Sequence, residues 1–280
     1  MSHLSPSLRL KAMKLSTATD ILQKAGIEDA RHEARLLFSQ IAKIPSSELY
    51  GRDAESDMPA LTEAIERRSK REPLQYIIGE VDFYRERYRV TPDCLIPRSD
   101  TEILVDEAVK RLPKGARFID LCTGSGCIVL SVLNNTDSTS AIALDVSPAA
   151  LKIAKENAER LSLTERVGFI EKDVLAEAVE DRFHAVLSNP PYVTPKAYSE
   201  LMPEIYFEPD IAFLGGEDGL DFYRGILALY KDSLLEDGFF GFEIGYDQAD
   251  ALTELAGEHR MKIEIIKDLS GNPRVALLKK

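Results

Sequence analysis

No apolar stretch in this 280-residue sequence approaches the ~18–20 residues needed to cross a membrane. Cysteine is scarce: Cys94, Cys122 and Cys127 cannot all pair, and none sits in a Cys-x-x-Cys, which reads as reduced thiols in a cytoplasmic protein. The four histidines (His3, His32, His184, His259) are scattered without metal-ligand spacing, so no metal cofactor is expected. The first 19 residues hold Arg9, Lys11 and Lys14 but no acid and no apolar core, which argues against a secretory signal; as an organellar transit peptide they are short. Excess positive charge is missing too. Net charge is −12, and residues 1–80 carry 12 basic and 12 acidic side chains, so the whole acidic excess lies in residues 81–280. A region that acidic is repelled by phosphate backbones, which counts against DNA or RNA as a partner unless a local basic patch overrides it.

What is present is an ordinary soluble composition, 44% hydrophobic and 29% charged, in a chain long enough for a large domain and a small one. Residues 1–75 read as helical. Ala34, Leu37, Phe38 and Ile41, then Leu61, Ala64 and Ile65, recur at helical spacing, with Pro45, Gly51 and Pro59 between segments. The run Arg67, Arg68, Lys70, Arg71 reads as a solvated helix face or as a docking patch for an acidic or ribosome-associated partner. Residues 76–98 form a linker in which 81–90 suggests a hairpin turning at Arg85-Glu86. Ser99-Asp-Thr-Glu102 is a capping-box pattern opening a helix that runs to Pro113.

From there to residue 280 strands and helices alternate. Strands are predicted at 117–121, 141–145, 167–172, 184–188, 239–244, 262–268 and 274–279. Helices are predicted at 127–133, 148–161, 219–235 and 247–258. Alternation of this kind gives an α/β fold with a mainly parallel sheet covered on both faces. Ser270-Gly-Asn-Pro273 is too short for a helical crossover, so the last two strands pair antiparallel. Seven strands with that ending resemble the sheet of the Rossmann-like methyltransferases.

After the first of these strands comes Asp120-Leu-Cys122-Thr123-Gly124-Ser125-Gly126, opening directly into a helix. Glycines there let backbone approach a ligand, and the helix N-terminus offers unpaired N–H groups. A dinucleotide loop wants a third glycine at 129, where Val129 stands. An acid four residues before the first glycine instead resembles loops that hold S-adenosylmethionine. Asp145 ends the second strand, where a carboxylate can accept both ribose hydroxyl protons, and Asp173 ends the third, where it could meet the adenine amino group.

The fourth strand ends in Ser188-Asn189-Pro190-Pro191-Tyr192. Neither proline can donate a backbone hydrogen bond, and each stiffens the residue before it. The carbonyls and the Asn189 carboxamide therefore supply acceptors for a planar –NH2 group, and the Tyr192 ring offers a packing surface. Positioning is the main catalytic contribution for such a nitrogen. The tetrapeptide alone does not choose between the exocyclic amines of adenine, cytosine or guanine and the side-chain amide of glutamine.

The chain resembles the bacterial protein-(glutamine-N5) methyltransferases of peptide chain release factors. The likeness runs through Glu72-Pro-Leu-Gln-Tyr76, Leu95-Ile-Pro-Arg98, Asp100-Thr-Glu102, the loop Asp120–Gly126, Asp145, Asn189–Tyr192, Glu208-Pro209, Gly216-Glu-Asp-Gly-Leu220 and Gly271-Asn-Pro-Arg274. It implies a substrate-docking helical domain over 1–75, the hairpin linker over 76–98 and a methyltransferase domain over 99–280. It also implies S-adenosylmethionine as cofactor, held by Cys122, Thr123, Gly124, Ser125, Gly126, Asp145 and Asn189, to which the reading of the loop and strand ends adds Asp120 and Asp173. Asn189, Pro190, Pro191 and Tyr192 clamp the substrate, and Asn189, Pro190 and Tyr192 carry the catalysis. The substrate it implies is the glutamine of the release factor's Gly-Gly-Gln tip, modified by a cytoplasmic monomer. Two residues depart from the family pattern: Ser99 stands in place of a usual proline and Cys122 in place of a frequent glycine. Arg98 is expected to be a loop salt-bridge partner or a substrate contact. A glutamine methyltransferase of a ribosomal protein, a nucleic-acid amine methyltransferase and a non-catalytic cofactor-binding scaffold are the competing readings.

Overall fold

The computed structural model describes residues 12–137 and 140–280; Arg9, Lys11 and most of the acid-free start lie outside the described residues. The chain divides into two compact units, residues 1–79 with Pro203–Phe207, and Glu80–Met202 with Glu208–Lys280.

The first unit contains helices α1 (Leu15–Lys24), α2 (Ala30–Gln40), α3 (Pro59–Ser69) and α4 (Leu74–Ile78) and a two-residue pairing of β1 (Met13–Lys14) with β2 (Glu55–Ser56). The periodic residues Ala34, Leu37 and Phe38 of α2 and Leu61, Ala64 and Ile65 of α3 are buried in one cluster with Leu15, Ala18 and Leu22 of α1. Each large side chain buried this way contributes about 1.5–3 kcal/mol. Pro59 opens α3, where a missing N–H costs nothing. The basic run is not a solvated face. Arg68 is buried, shared between Glu33 at 2.5 Å and Glu204 at 3.0 Å, while Arg71 pairs with Glu204 at 2.8 Å and Arg67 with Glu72 at 2.5 Å. Only Lys70 of the run is exposed, because half-buried carboxylates inside the unit claim the guanidinium groups.

The second unit opens with the hairpin β3 (Glu80–Phe83) and β4 (Glu86–Arg89), turning one residue earlier than expected, at Tyr84-Arg85. Glu86 belongs to the strand because its carboxylate is buried, accepting from Ser131, Asn134 and Asn135. The capping box does not form: a 3₁₀ turn at Ser99–Thr101 precedes α5 (Glu102–Arg111), and Glu102 instead accepts from the hairpin's Tyr84 N–H at 2.8 Å.

The sheet then follows as β5 (Arg117–Leu121), α6 (Cys127–Asn134), β6 (Ser140–Asp145), α7 (Pro148–Arg160), β7 (Val167–Glu171) and β8 (Phe183–Ser188). After the short α8 (Pro195–Tyr198) come α9 (Asp221–Tyr230), β9 (Leu234–Glu243), α10 (Ala249–Glu258), β10 (Lys262–Lys267) and β11 (Pro273–Lys279). Most boundaries lie within two residues of expectation. The exceptions are α9, which stops at Tyr230, and β9, which starts at Leu234; the sequence predicts a helix to 235 and a strand from 239, yet Leu234 already pairs with Phe183 across an irregular register. Strand order is β10-β11-β9-β8-β5-β6-β7, with β11 antiparallel to both neighbours and the other pairs parallel. Alternation sends Phe118 into a core with α5, α6 and α7, and Ile119 and Leu121 into a second core with α9 and α10. The chain runs outward from β5 through β6 and β7, then returns to β8 on the other side of β5. That reversal opens a crevice at the carboxyl ends of β5 and β8, where ligands bind in open α/β sheets.

Candidate active site

The loop after β5 is held by left-handed backbone at Cys122 (φ 59°), Gly124 (φ 55°) and Gly126 (φ 81°). Cys122 thus occupies a conformation that favours glycine, the residue it replaces in the family pattern. Thr123 donates its backbone N–H to the Leu144 carbonyl at 2.9 Å and its hydroxyl to Asp120 at 2.6 Å. Asp120 is fully buried, and burial pushes its carboxyl up to about 7. Asp145 accepts from Gly124 N–H at 2.8 Å and Ser147 N–H at 2.9 Å, tying the loop to the end of β6; burial raises its carboxyl above the ordinary value.

A cavity of about 270 Å³ lies over this loop, walled among others by Cys122, Gly124, Asp145, Asp173, Asn189 and Pro191. A smaller one of about 30 Å³ shares Cys122, Gly124 and Asn189 with it and adds Thr123, Ser125, Thr101 and Arg98. Asp120 and Gly126 line neither. Asp120 lies beneath the loop as its anchor, and Gly126 packs against α7, where a Cβ would sit 3.1 Å from that of Ala154. Asp173 stands at the cavity wall, exposed, with its carboxylate accepting from Leu175 N–H at 2.8 Å. At Gly124 a Cβ would meet nothing within 4 Å, so open backbone faces the cavity beside the Asp145 carboxylate. The donor set fits S-adenosylmethionine: an acid for ribose hydroxyls, bare loop backbone, and a second acid further along the wall. Among the described residues no cluster of His, Cys, Asp or Glu suited to a metal occurs, and no helix is long and apolar enough to cross a membrane.

Beside the loop, Ser188 donates to the Leu121 carbonyl at 2.7 Å, locking the end of β8 to β5. Pro190 and Pro191 are buried and Asn189 and Tyr192 are half-buried. Asn189 Nδ2 donates to Thr101 Oγ1 at 3.3 Å, the Thr101 hydroxyl donates to Glu243, and the Tyr192 hydroxyl donates to Glu243 Oε1 at 3.3 Å. Glu243 is buried at the end of β9, and burial pushes its carboxyl up to about 7 against the stabilising effect of those two donors. The backbone of the tetrapeptide is pinned as well. Gln248 Nε2 donates to the carbonyls of Tyr192 at 3.3 Å and Gly219 at 3.1 Å. A Cβ at Gly215 would lie 2.5 Å from the Pro191 carbonyl oxygen, and one at Gly219 would lie 2.3 Å from that of Tyr192. Arg98 pairs with Glu208, which also accepts from Ile96 N–H at 2.9 Å, so the arginine is a loop ion-pair partner.

Sequence reasoning missed Glu243, Thr101 and Gln248. An acid at the end of an apolar strand, the signal that singled out Asp145 and Asp173, was equally available at Glu243; Thr101 stood inside the Asp100-Thr-Glu102 block with no role read for it, and for Gln248 the sequence holds no comparable sign.

A family model described as the PrmC N-terminal domain matches residues 14–79, and one described as the methyltransferase small domain matches residues 99–208. The release factor glutamine methyltransferase of Thermodesulfovibrio yellowstonii is 40% identical over 257 residues, spanning 89% of this chain and 92% of the relative. That of Caulobacter vibrioides is 35% identical over 270 residues, spanning 94% and 93%. Among solved structures, the release factor-specific protein-(glutamine-N5) methyltransferase from Alicyclobacillus acidocaldarius is 34% identical, with a TM-score of 0.41, and covers 69% of this chain and 99% of its own. With identity at that level sustained along nearly the whole of both chains, this chain belongs to the release factor glutamine methyltransferase family.

Proposed function

We propose that this chain transfers a methyl group from S-adenosylmethionine to the side-chain amide nitrogen of the glutamine in the Gly-Gly-Gln motif of peptide chain release factors. The observation that carries the reading is the Asn189 carboxamide, which stands on the wall shared by both cavities with its nitrogen engaged by Thr101 and its oxygen left to accept. When bound, the cofactor supplies an electrophilic methyl on a sulfonium sulfur. Asp145, the backbone at Gly124 and the rest of the cavity wall hold the cofactor. Asn189 Oδ1 and the carbonyls beside Pro190 and Pro191 accept the two amide hydrogens and so orient the nitrogen. Tyr192 gives the planar group a surface. Neither proline carries an N–H that would compete with the substrate as donor. No side chain has to remove a proton first, because one amide proton leaves to solvent once the nitrogen is alkylated, and the effective molarity of a well-oriented group reaches roughly 10⁵–10⁸ M.

Residues 1–75 serve as the docking domain, 76–98 as the linker and 99–280 as the catalytic domain of a cytoplasmic monomer that does not engage nucleic acid directly. The acidic balance of residues 81–280 supports the last point. The test is transfer of tritiated methyl to purified release factor, its Gln→Ala variant at the Gly-Gly-Gln tip, total ribosomal protein and ribosomal RNA. Label on the factor and none on the variant is expected. Label on ribosomal protein alone moves the substrate to that class, and label on RNA overturns the protein-substrate reading.

A further inference from the structure

We infer that Glu243 is a positioning residue that sets, through Thr101, which way the Asn189 carboxamide faces, and holds Tyr192 through its hydroxyl. The inference rests on the amide-methyltransferase reading above. A threonine hydroxyl has one hydrogen to give. Glu243 takes it, so Thr101 Oγ1 can only accept on its other side, and Asn189 must offer Nδ2 rather than Oδ1. The carboxamide oxygen is thereby left for the substrate, which brings two N–H hydrogens. Reverse the chain, with a proton on Glu243 donated to Thr101, and the threonine hydrogen is free for Asn189 Oδ1. The amide then turns over and presents its own –NH2 to the substrate –NH2, donor against donor. Asparagine orientation is decided by such networks and by nothing intrinsic to the side chain.

Two features make the relay switchable. Among the described residues no cation bonds to the buried Glu243, and its carboxyl is pushed up to about 7, so the polarity changes near neutral pH. The titratable and charged groups facing it are Tyr192, Tyr223, Cys127, Asp100 and Arg274. Asp100 and Arg274 pair with each other at 3.2 Å, and Tyr223 donates to the Glu243 backbone carbonyl at 2.8 Å, leaving the carboxylate to Thr101 and Tyr192. The three phenol and thiol groups stay neutral, since burial raises each of them.

The experiment compares full-chain wild type with Thr101→Val, Thr101→Ser and Glu243→Gln. Single-turnover transfer at saturating cofactor is measured from about pH 6 to about pH 8, with calorimetric cofactor affinity and the Asn189 side-chain amide resonances recorded on the same proteins. Thr101→Val, which keeps the shape and removes the hydroxyl, is expected to slow transfer about 10²-fold, within the range for losing one fixed polar group at a reacting centre, with cofactor affinity changed less than about threefold. Thr101→Ser is expected to restore most of that loss. The wild-type rate should rise with pH through about 7, with a parallel shift of the Asn189 amide resonances. Both should be absent from Glu243→Gln. Thr101→Val at the wild-type rate, Thr101→Ser as slow as Thr101→Val, or an unaltered pH profile in Glu243→Gln would each overturn the relay. The amide resonances need no substrate. A wild type that labels no glutamine therefore sinks the substrate reading, and the resonances still decide the relay.

Discussion

The loop after β5 is held by neighbours close in the chain. Thr123 donates to Asp120, three residues back, and Gly124 to Asp145, 21 residues on. The segment after β8 is held from far away: Asn189 through Thr101, 88 positions earlier, Tyr192 through Glu243, 51 positions later, and the backbone through Gly215, Gly219 and Gln248. The first loop is a device that two consecutive strands and the helix between them build together. The second is stiff because of its prolines but aimed only by the rest of the sheet. A local device tolerates change elsewhere in the unit, whereas an aimed one fails when any distant support is lost.

The hardest blow to the aimed segment is Asn189→Ala. It removes the acceptor itself and should lower single-turnover transfer by about 10²–10³-fold at saturating cofactor; a variant within a few-fold of wild type would end the clamp mechanism. Gly219→Ala attacks the same segment from outside. Its Cβ would fall 2.3 Å from the Tyr192 carbonyl oxygen at a φ of +74°, so the unit should lose about 2–3 kcal/mol in denaturant melts, along with much of its activity. In the local loop the effects shrink. Asp145→Asn keeps an acceptor for Gly124 but removes the charge, and cofactor affinity should fall by about 10- to 100-fold in calorimetry, the range for a hydrogen bond to an ionised group. Cys122→Gly is the mildest change and runs the other way. Relieving a left-handed non-glycine residue at φ 59° should leave transfer intact and raise stability by up to about 1 kcal/mol. If Asp145→Asn harmed transfer more than Asn189→Ala, the contrast between the two loops would be the wrong way round.

Much of this was legible in advance. The periods of the apolar residues and the shortness of Ser270–Pro273 carried the sheet, its antiparallel ending and the helical first unit. The glycine loop with Asp145 and Asp173 carried much of the wall of the larger cavity. Three of the misreadings share one cause. Glu102 reads as a capping residue, Arg68 as a solvated cation and Glu86 as a turn residue; each is instead paired with a group supplied by another element, Tyr84, Glu33 and Asn134 respectively. Local patterns assign a polar residue to its nearest use, and burial reassigns it to whichever partner compensates its desolvation.

The sequence by itself determined most of the strand and helix pattern, the stiffness of Asn189–Tyr192 and the glycine-rich turn from Asp120 to Gly126, since period, ring closure and glycine freedom are properties of the chain. Only the tertiary structure decided that Thr101 and Glu243 stand behind Asn189, that Arg98 answers Glu208, and that Asp120 lies under the loop rather than at the cavity wall. Hydrogen bonds between residues tens of positions apart exist only once the sheet has brought their strands side by side, and a carboxyl acquires its pKa only from the burial that follows.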